Sequence, residues 1–368
     1  MKSRRTFLKN TTLAAGVAAA VPSFSFNIWK KTPLPEGPIV GHGAYRYKID
    51  KNWAKISRVQ TPLLNCHEMV MDQNGRLIML GDHTSNNVLV FDKSGKLMDS
   101  WGTQYPGGHG LTLSNEGGED YLFIVDCGWY LNRKGEWKKQ AGQVFKTDIN
   151  GRLIFNLGDP HTIGIYEKDQ PFMPTEVAVA PNGDIYVADG YGSDFIIQYD
   201  YNGRYIRHFG GKNNEDPNYN LRNAHGVAVD TRGDETVLIC TSRTENCFKY
   251  FTLDGQYLKT VELPGLFVCR PVIDDDNIYA GVCWSKTRIE NKGWVKNTGF
   301  VTILDGDRVV SNPGGTSPEY KNGKLQQMYQ TEDKIFNHGH DVCIDEDKNL
   351  YVCQWNANHT APVKLTRV

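Results

Sequence analysis

Apolar and polar residues alternate along this chain in short stretches, and the stretches recur. Residues 68–80 read as an apolar run, an Asp72-Gln-Asn-Gly75 turn and a second apolar run, followed by Val88-Leu-Val-Phe91 and an Asp92-Lys-Ser-Gly95 turn. The same series returns over residues 176–189 and 196–203, and further copies start at Gly110, Gly226, Pro271 and Asp341. Period-two alternation bounded by Asp, Asn and Gly predicts antiparallel strands in a meander. Aligning the copies at their first inner position gives His67, His109, Thr175, His225, Arg270 and His340, which is six units. Repeats of roughly 40–50 residues with four strands each close into a ring, because radial closure leaves few exposed sheet edges. The expected fold class is therefore all-β, a six-bladed β-propeller over residues 38–368. The last copy is a strand short, and residues 43–56 are expected to supply it and close the ring. Two copies carry insertions, a polar hairpin over residues 129–141 and a longer one including residues 286–298 and 312–320.

The first residues have a different pattern. Arg4 and Arg5 precede Phe7-Leu8-Lys9, and a modest apolar run covers residues 12–21. This is a twin-arginine export signal, expected to span residues 1–26 and to be cleaved between 20 and 26. It predicts the twin-arginine translocase as a transient partner and a periplasmic or secreted protein. The run is too short for a permanent span, and no other apolar stretch is long enough, so no stable membrane span is expected after export. A formal net charge of −1 offers no basic face for phosphates and argues against nucleic acid as a partner. Hydrophobic residues at 39% and charged residues at 23% argue against disorder. Eight cysteines in an exported chain permit disulfides. Cys269 with Cys283, and Cys343 with Cys353, flank turns, and each pair reads equally well as a bridge or as two buried thiols. No Cys-x-x-Cys is present, which argues against a thiolate zinc site.

The chemistry suggested by the repeat lies at the aligned position. First strands of propeller blades line the central axis, so these six residues form a ring near one mouth of the channel. Histidine occupies it at the second, fourth and sixth copies, as His109, His225 and His340. Alternate blades are a third of a turn apart, and three imidazoles converging in this way suit Zn2+ or another divalent transition metal with a position left open. His67 breaks the alternation and is expected to be a channel residue. One step deeper, the Asp341 carboxylate with the carbonyls of Met69 and Leu111 suits a structural Ca2+. Asp341 paired with an arginine is the equal alternative.

At these residues the chain resembles the NHL-repeat propellers, and among them peptidyl-α-hydroxyglycine α-amidating lyase. The matching segments are His109-Gly-Leu, His225-Gly-Val, His340-Asp-Val, Pro174-Thr-Glu-Val-Ala-Val179 with Asp189-Gly-Tyr191, and Ser242-Arg-Thr-Glu-Asn246. The resemblance implies zinc on the three histidines, calcium at Asp341, and catalytic roles for Tyr191 and Arg243. It implies C–N cleavage of a carbinolamide in a peptide or small molecule. The chain departs from the family pattern at Leu80-Gly-Asp-His83, where an arginine is missing, and at His338, where the family has methionine. Arg270 and His67 are additional in the ring, and Arg270 and His338 are expected at the substrate. These departures keep two other readings open. One is a metal-dependent lyase or hydrolase acting on another hydroxylated substrate such as a modified sugar. The other is a non-catalytic NHL propeller that binds protein or glycan.

Overall fold

A computed structural model describes residues 37–286 and 295–368. The expected export segment at 1–26 and part of the second insertion lie outside the described residues. Six antiparallel sheets of four or five strands follow one another among the described residues, with two two-stranded hairpins besides. The first comprises Cys66–Met71, Leu77–Gly81, Val88–Phe91 and Leu97–Trp101, and the second Gly108–Glu116, Glu119–Asp126, Gln143–Asp148 and Leu153–Asn156. The third and fourth begin with the inner strands Glu176–Val179 and Val227–Asp230 and keep the same four-strand order. The sixth joins Gly339–Ile344, Leu350–Gln354 and Val363–Arg367 to Tyr45–Asp50, which pairs Ile49 with Leu365. The expected closing strand is thus Tyr45–Asp50, with Ile39–His42 added outside it as a fifth strand. Closure follows from alternation: Tyr47 and Ile49 are buried between blades while Arg46 and Lys48 face outward.

Second strands are sandwiched between neighbouring blades, so Leu77–Gly81 and Ile185–Ala188 are buried on both faces and carry unbroken apolar runs. Fourth strands form the rim and are mostly exposed, as in Leu97–Trp101. The aspartates that punctuate the repeat fold the turns: Asp72 Oδ1 accepts from the N–H groups of Asn74 at 3.0 Å and Arg76 at 2.8 Å. The first insertion is a hairpin of Trp129–Leu131 and Trp137–Lys139, as expected. Among the described residues no helix is long and apolar enough to cross a membrane. The eight cysteines are buried and unpaired, which resolves the choice between bridges and thiols in favour of thiols.

Two irregularities of the inner strands set up the axis. In the first, second and sixth sheets the pairing register shifts across His67, His109 and His340, each an extra residue between two paired ones. Such β-bulges re-aim a side chain. In the fifth sheet the inner strand is split into Leu266–Val268 and Val272–Asp274. Pro271 lies in the gap and has no N–H for the ladder. The break leaves Cys269 and Arg270 beside the axis.

Candidate metal centre on the propeller axis

The three alternate histidines meet. Ring centroids lie 4.8 Å apart for His109 and His225, 4.8 Å for His109 and His340, and 5.1 Å for His225 and His340. All three are about 1% exposed. Burial holds each well below the usual imidazole pKa, so they are neutral with a lone pair to offer. His109 Nδ1 is fixed by the Thr175 carbonyl at 2.8 Å, and His340 Nδ1 by the His67 carbonyl at 3.0 Å. Their Nε2 atoms are thereby turned inward. His225 follows Asn223, whose φ of 57° turns the chain before the strand.

The donor set is wider than the alternation predicts. His67, His109 and His340 place one donor atom each within 4.8 Å of one another, and so do His225, Cys269 and His340. His67 thus stands in the cluster rather than merely lining the channel. Cys269 sits directly before the ring position Arg270. The sequence reads Cys269 as a disulfide partner or a buried thiol, not as a metal ligand, although it directly precedes a ring position.

Tyr191 reaches the same point. Its hydroxyl is 3.1 Å from His109 Nε2 and 3.2 Å from His225 Nε2. The turn that presents it is tied by buried Asp189, which accepts from the N–H groups of Met173 at 2.6 Å and Ser193 at 2.7 Å and from the Tyr166 hydroxyl at 2.8 Å. Burial pushes the Asp189 carboxyl up to about 7. Gly190 is required there, since a Cβ would meet the Ala224 carbonyl oxygen at 2.3 Å. Burial raises the Tyr191 hydroxyl, and the nearby Arg243 charge opposes that rise.

Arg243 is buried behind this layer. It donates to the Val268 carbonyl at 3.2 Å and to Cys269 Sγ at 2.9 Å, and its guanidinium stands 5.4 Å over the Trp284 ring. Among the described residues it forms no ion pair with a carboxylate. Burial pushes the Cys269 thiol up, but the hydrogen bond from Cys283 and the Arg243 charge outweigh it and leave the thiol below its usual value.

Two expectations are corrected. Asp341 and the Met69 and Leu111 carbonyls do converge, but around the guanidinium of Arg270 rather than around an ion. Arg270 donates to Asp341 Oδ1 at 2.8 Å and Oδ2 at 3.0 Å, to the Leu111 carbonyl at 2.8 Å and to the Met69 carbonyl at 3.3 Å. Glu68 and Glu176 complete the cage at 3.2 and 3.7 Å. A calcium ion there would have to displace a fixed cation, and an arginine so engaged is not available to a substrate. His338 is likewise committed: Nδ1 donates to the Trp355 carbonyl at 3.1 Å, Nε2 accepts from the Asn297 N–H at 3.0 Å, and the ring packs between Trp284 and Trp355.

The residues fit a transition-metal ion. His67 Nδ1, His225 Nδ1 and His340 Nε2 are buried without a hydrogen-bond partner. Such atoms are costly unless something satisfies them. Imidazoles and a thiol are donors for zinc-class ions and poor ones for calcium. A cleft of about 390 Å³ opens over Tyr191, lined also by Trp129, Lys139, Lys212 and Arg222. Lys212 is paired with Asp194 at 2.8 Å and Arg222 with Glu245 at 3.5 Å, so Lys139 contributes the cleft's least compensated charge.

Comparison with known proteins agrees with this architecture. No family model matches the chain. It is 26% identical over 281 residues to peptidyl-α-hydroxyglycine α-amidating lyase 1 of Drosophila melanogaster, covering 72% of this chain and 46% of that one. It is 25% identical over 253 residues to NHL repeat-containing protein 3 of Homo sapiens, covering 59% and 67%. The match spans about half the length of the curated lyases. A gluconolactonase from Xanthomonas campestris superposes with a TM-score of 0.55 at 11% identity, covering 91% of this chain and 96% of that one, which is a likeness of fold. The chain is a six-bladed β-propeller that resembles the NHL-repeat proteins and the peptidyl-α-hydroxyglycine α-amidating lyases.

Proposed function

We propose that the protein is an exported metal-dependent lyase that cleaves a C–N bond in a carbinolamide-like substrate. The observation that carries this reading is the meeting of buried, neutral imidazoles from three alternate blades with the Tyr191 hydroxyl at the floor of an open cleft. His109, His225 and His340 would hold a zinc-class ion. When bound, such an ion supplies Lewis-acid polarisation of a substrate oxygen.

The protein's own groups account for the proton. Tyr191 takes the proton from the substrate hydroxyl and returns it to the departing nitrogen as the C–N bond breaks and the hydroxyl becomes a carbonyl. The products are an amide and an α-oxo acid, and no oxidant or reductant is consumed. Burial makes Tyr191 a reluctant base, and Arg243 is the charge that eases it. Lys139 at the cleft mouth suits an anionic substrate group.

A non-catalytic binding propeller would have no use for such a donor set. Action on another hydroxylated substrate, such as a modified sugar, is favoured by one observation: Arg270 is withdrawn from the cleft, and Gly81-Asp82-His83 brings no arginine in its place. The metal-loaded protein incubated with an α-hydroxyglycine peptide is expected to release glyoxylate. A metal-loaded protein that yields none at high concentration loses the amidating assignment and leaves the sugar-type substrate to be assayed.

A further inference from the structure

His67 belongs to none of the alternate blades, yet it is built like a ligand. We propose that His67 binds the axial ion directly through Nδ1, alongside His109 and His340, and that Asp82 is its positioning residue. This rests on the metal-centre reading above.

Three features carry it. First, His67, His109 and His340 are the three ring residues that sit on register shifts of their inner strands, so the backbone aims all three in one way. His225 precedes its strand and lacks this device.

Second, in each of the three the outer ring nitrogen is tied to an oxygen. His67 Nε2 stands 3.1 Å from Asp82 Oδ2, His109 Nδ1 2.8 Å from the Thr175 carbonyl, and His340 Nδ1 3.0 Å from the His67 carbonyl. An oxygen acceptor on one nitrogen places the proton there and leaves the lone pair on the other, which is how ligating histidines are oriented. Asp82 is itself held by the Asn65 N–H at 3.0 Å and the Asn65 side-chain amide at 2.7 Å, so the arrangement is rigid. His225 differs in its outer nitrogen: its Nδ1 has no partner, while its Nε2, like that of His109, stands beside the Tyr191 hydroxyl.

Third, the three rings meet, and two of them bring a nitrogen without a partner. His67 is 4% exposed, its Nδ1 has no hydrogen-bond partner, and its ring centroid is 4.9 Å from those of His109 and His340. One ring nitrogen from each lies within 4.8 Å of one from each of the others. An ion bound among them satisfies the buried nitrogens of His67 and His340, which nothing else in the described residues does. His225 then closes the site on the side of Tyr191, giving an ion held from four blades and approached through the cleft.

The test uses the full chain loaded with Zn2+. X-ray absorption counts the imidazoles on the metal at about 2.0–2.1 Å, and competition against a chromophoric chelator gives affinity. His67→Gln is expected to remove one imidazole from the count and to weaken zinc by at least about tenfold. Asp82→Asn is expected to keep the count and weaken zinc by about 10–100-fold. An unchanged imidazole count in His67→Gln, with affinity within twofold of wild type, overturns the proposal. Should His67→Gln not fold, as judged by thermal melting, wild-type affinity in Asp82→Asn overturns it equally. If His340→Ala releases zinc while both His67→Gln and Asp82→Asn retain it, the ligand proposal alone fails. A wild-type chain that takes up no zinc sinks the functional reading together with it.

Discussion

Two layers of polar side chains are stacked on one axis, and they solve the same problem differently. The deeper layer gathers Glu68, Glu176 and Asp341 from three blades and neutralises them with a cation from a fourth, Arg270. Burial holds Glu68 well above the usual carboxylate range despite Arg270, with Glu176 and Asp341 adding to the rise. The layer carries its own counter-charge. The histidine layer above gathers at least as many buried polar groups and leaves three nitrogens without partners. Its nearest cation, Arg243, stays behind the thiol of Cys269 instead of entering the ring. One layer is balanced by a cation of the chain itself, and the other holds lone pairs that an added cation would use.

The deeper layer is the place to break this contrast most severely. Arg270→Met removes the guanidinium and leaves buried carboxylates with no cation. Removing one partner of a buried charge network costs about 3–5 kcal/mol, to be read by denaturant unfolding. Because Arg270 already fills the cage, added Ca2+ is expected to leave the wild-type melting temperature unchanged. A calcium-dependent rise in the wild type would show that the guanidinium gives way.

The histidine layer is the acid-sensitive one. His109, His225 and His340 are held well below the ordinary imidazole value, so below about pH 6.5 the unfolded chain binds protons that the folded chain refuses. Stability is therefore full above the unfolded value and falls as pH drops through that window. Three such groups give a slope of up to about 4 kcal/mol per pH unit. Replacing all three histidines by glutamine should flatten it in a urea series. A slope that survives the replacement places the acid sensitivity elsewhere.

How much of this could be read before the fold was seen differs between the layers for physical reasons. The blades follow from local alternation and Asp-x-x-Gly turns, and the convergence of His109, His225 and His340 follows from repeat symmetry, which needs no side-chain detail. Tyr191 and Arg243 were reached through motif likeness alone, and the structure brings both beside the ring. The role of Arg270 was not legible. Its long side chain can turn up to the cleft or down the channel, and the choice depends on Asp341, Glu68 and two carbonyls contributed by other blades. The aim of His67 was hidden for a related reason: a one-residue register shift leaves no mark in composition, and its partner Asp82 sits at the far end of the next strand.

Added metal should move only the histidine layer. At a hundredfold excess over its dissociation constant, a folded-state ligand stabilises by about 2.7 kcal/mol. Zinc is expected to raise the wild-type melting temperature accordingly, a chelator to reverse it, and His340→Ala to abolish it. Equal stabilisation of the variant would place zinc outside the ring.

The smallest effect separates the two states of that layer. The Tyr191 hydroxyl stands between His109 Nε2 and His225 Nε2 and can donate to only one of them. That bond is worth about 1 kcal/mol, and an ion using the same lone pairs must displace it. Tyr191→Phe keeps the ring and its packing, so it should destabilise the metal-free protein by about that amount and the zinc-loaded protein by less. The difference returns as zinc affinity, about fivefold tighter in the variant by titration calorimetry, since 1.4 kcal/mol corresponds to a factor of ten. Weaker binding in Tyr191→Phe would instead make the phenol oxygen one of the groups that hold the ion, and the hydroxyl would then serve the metal before it serves the substrate.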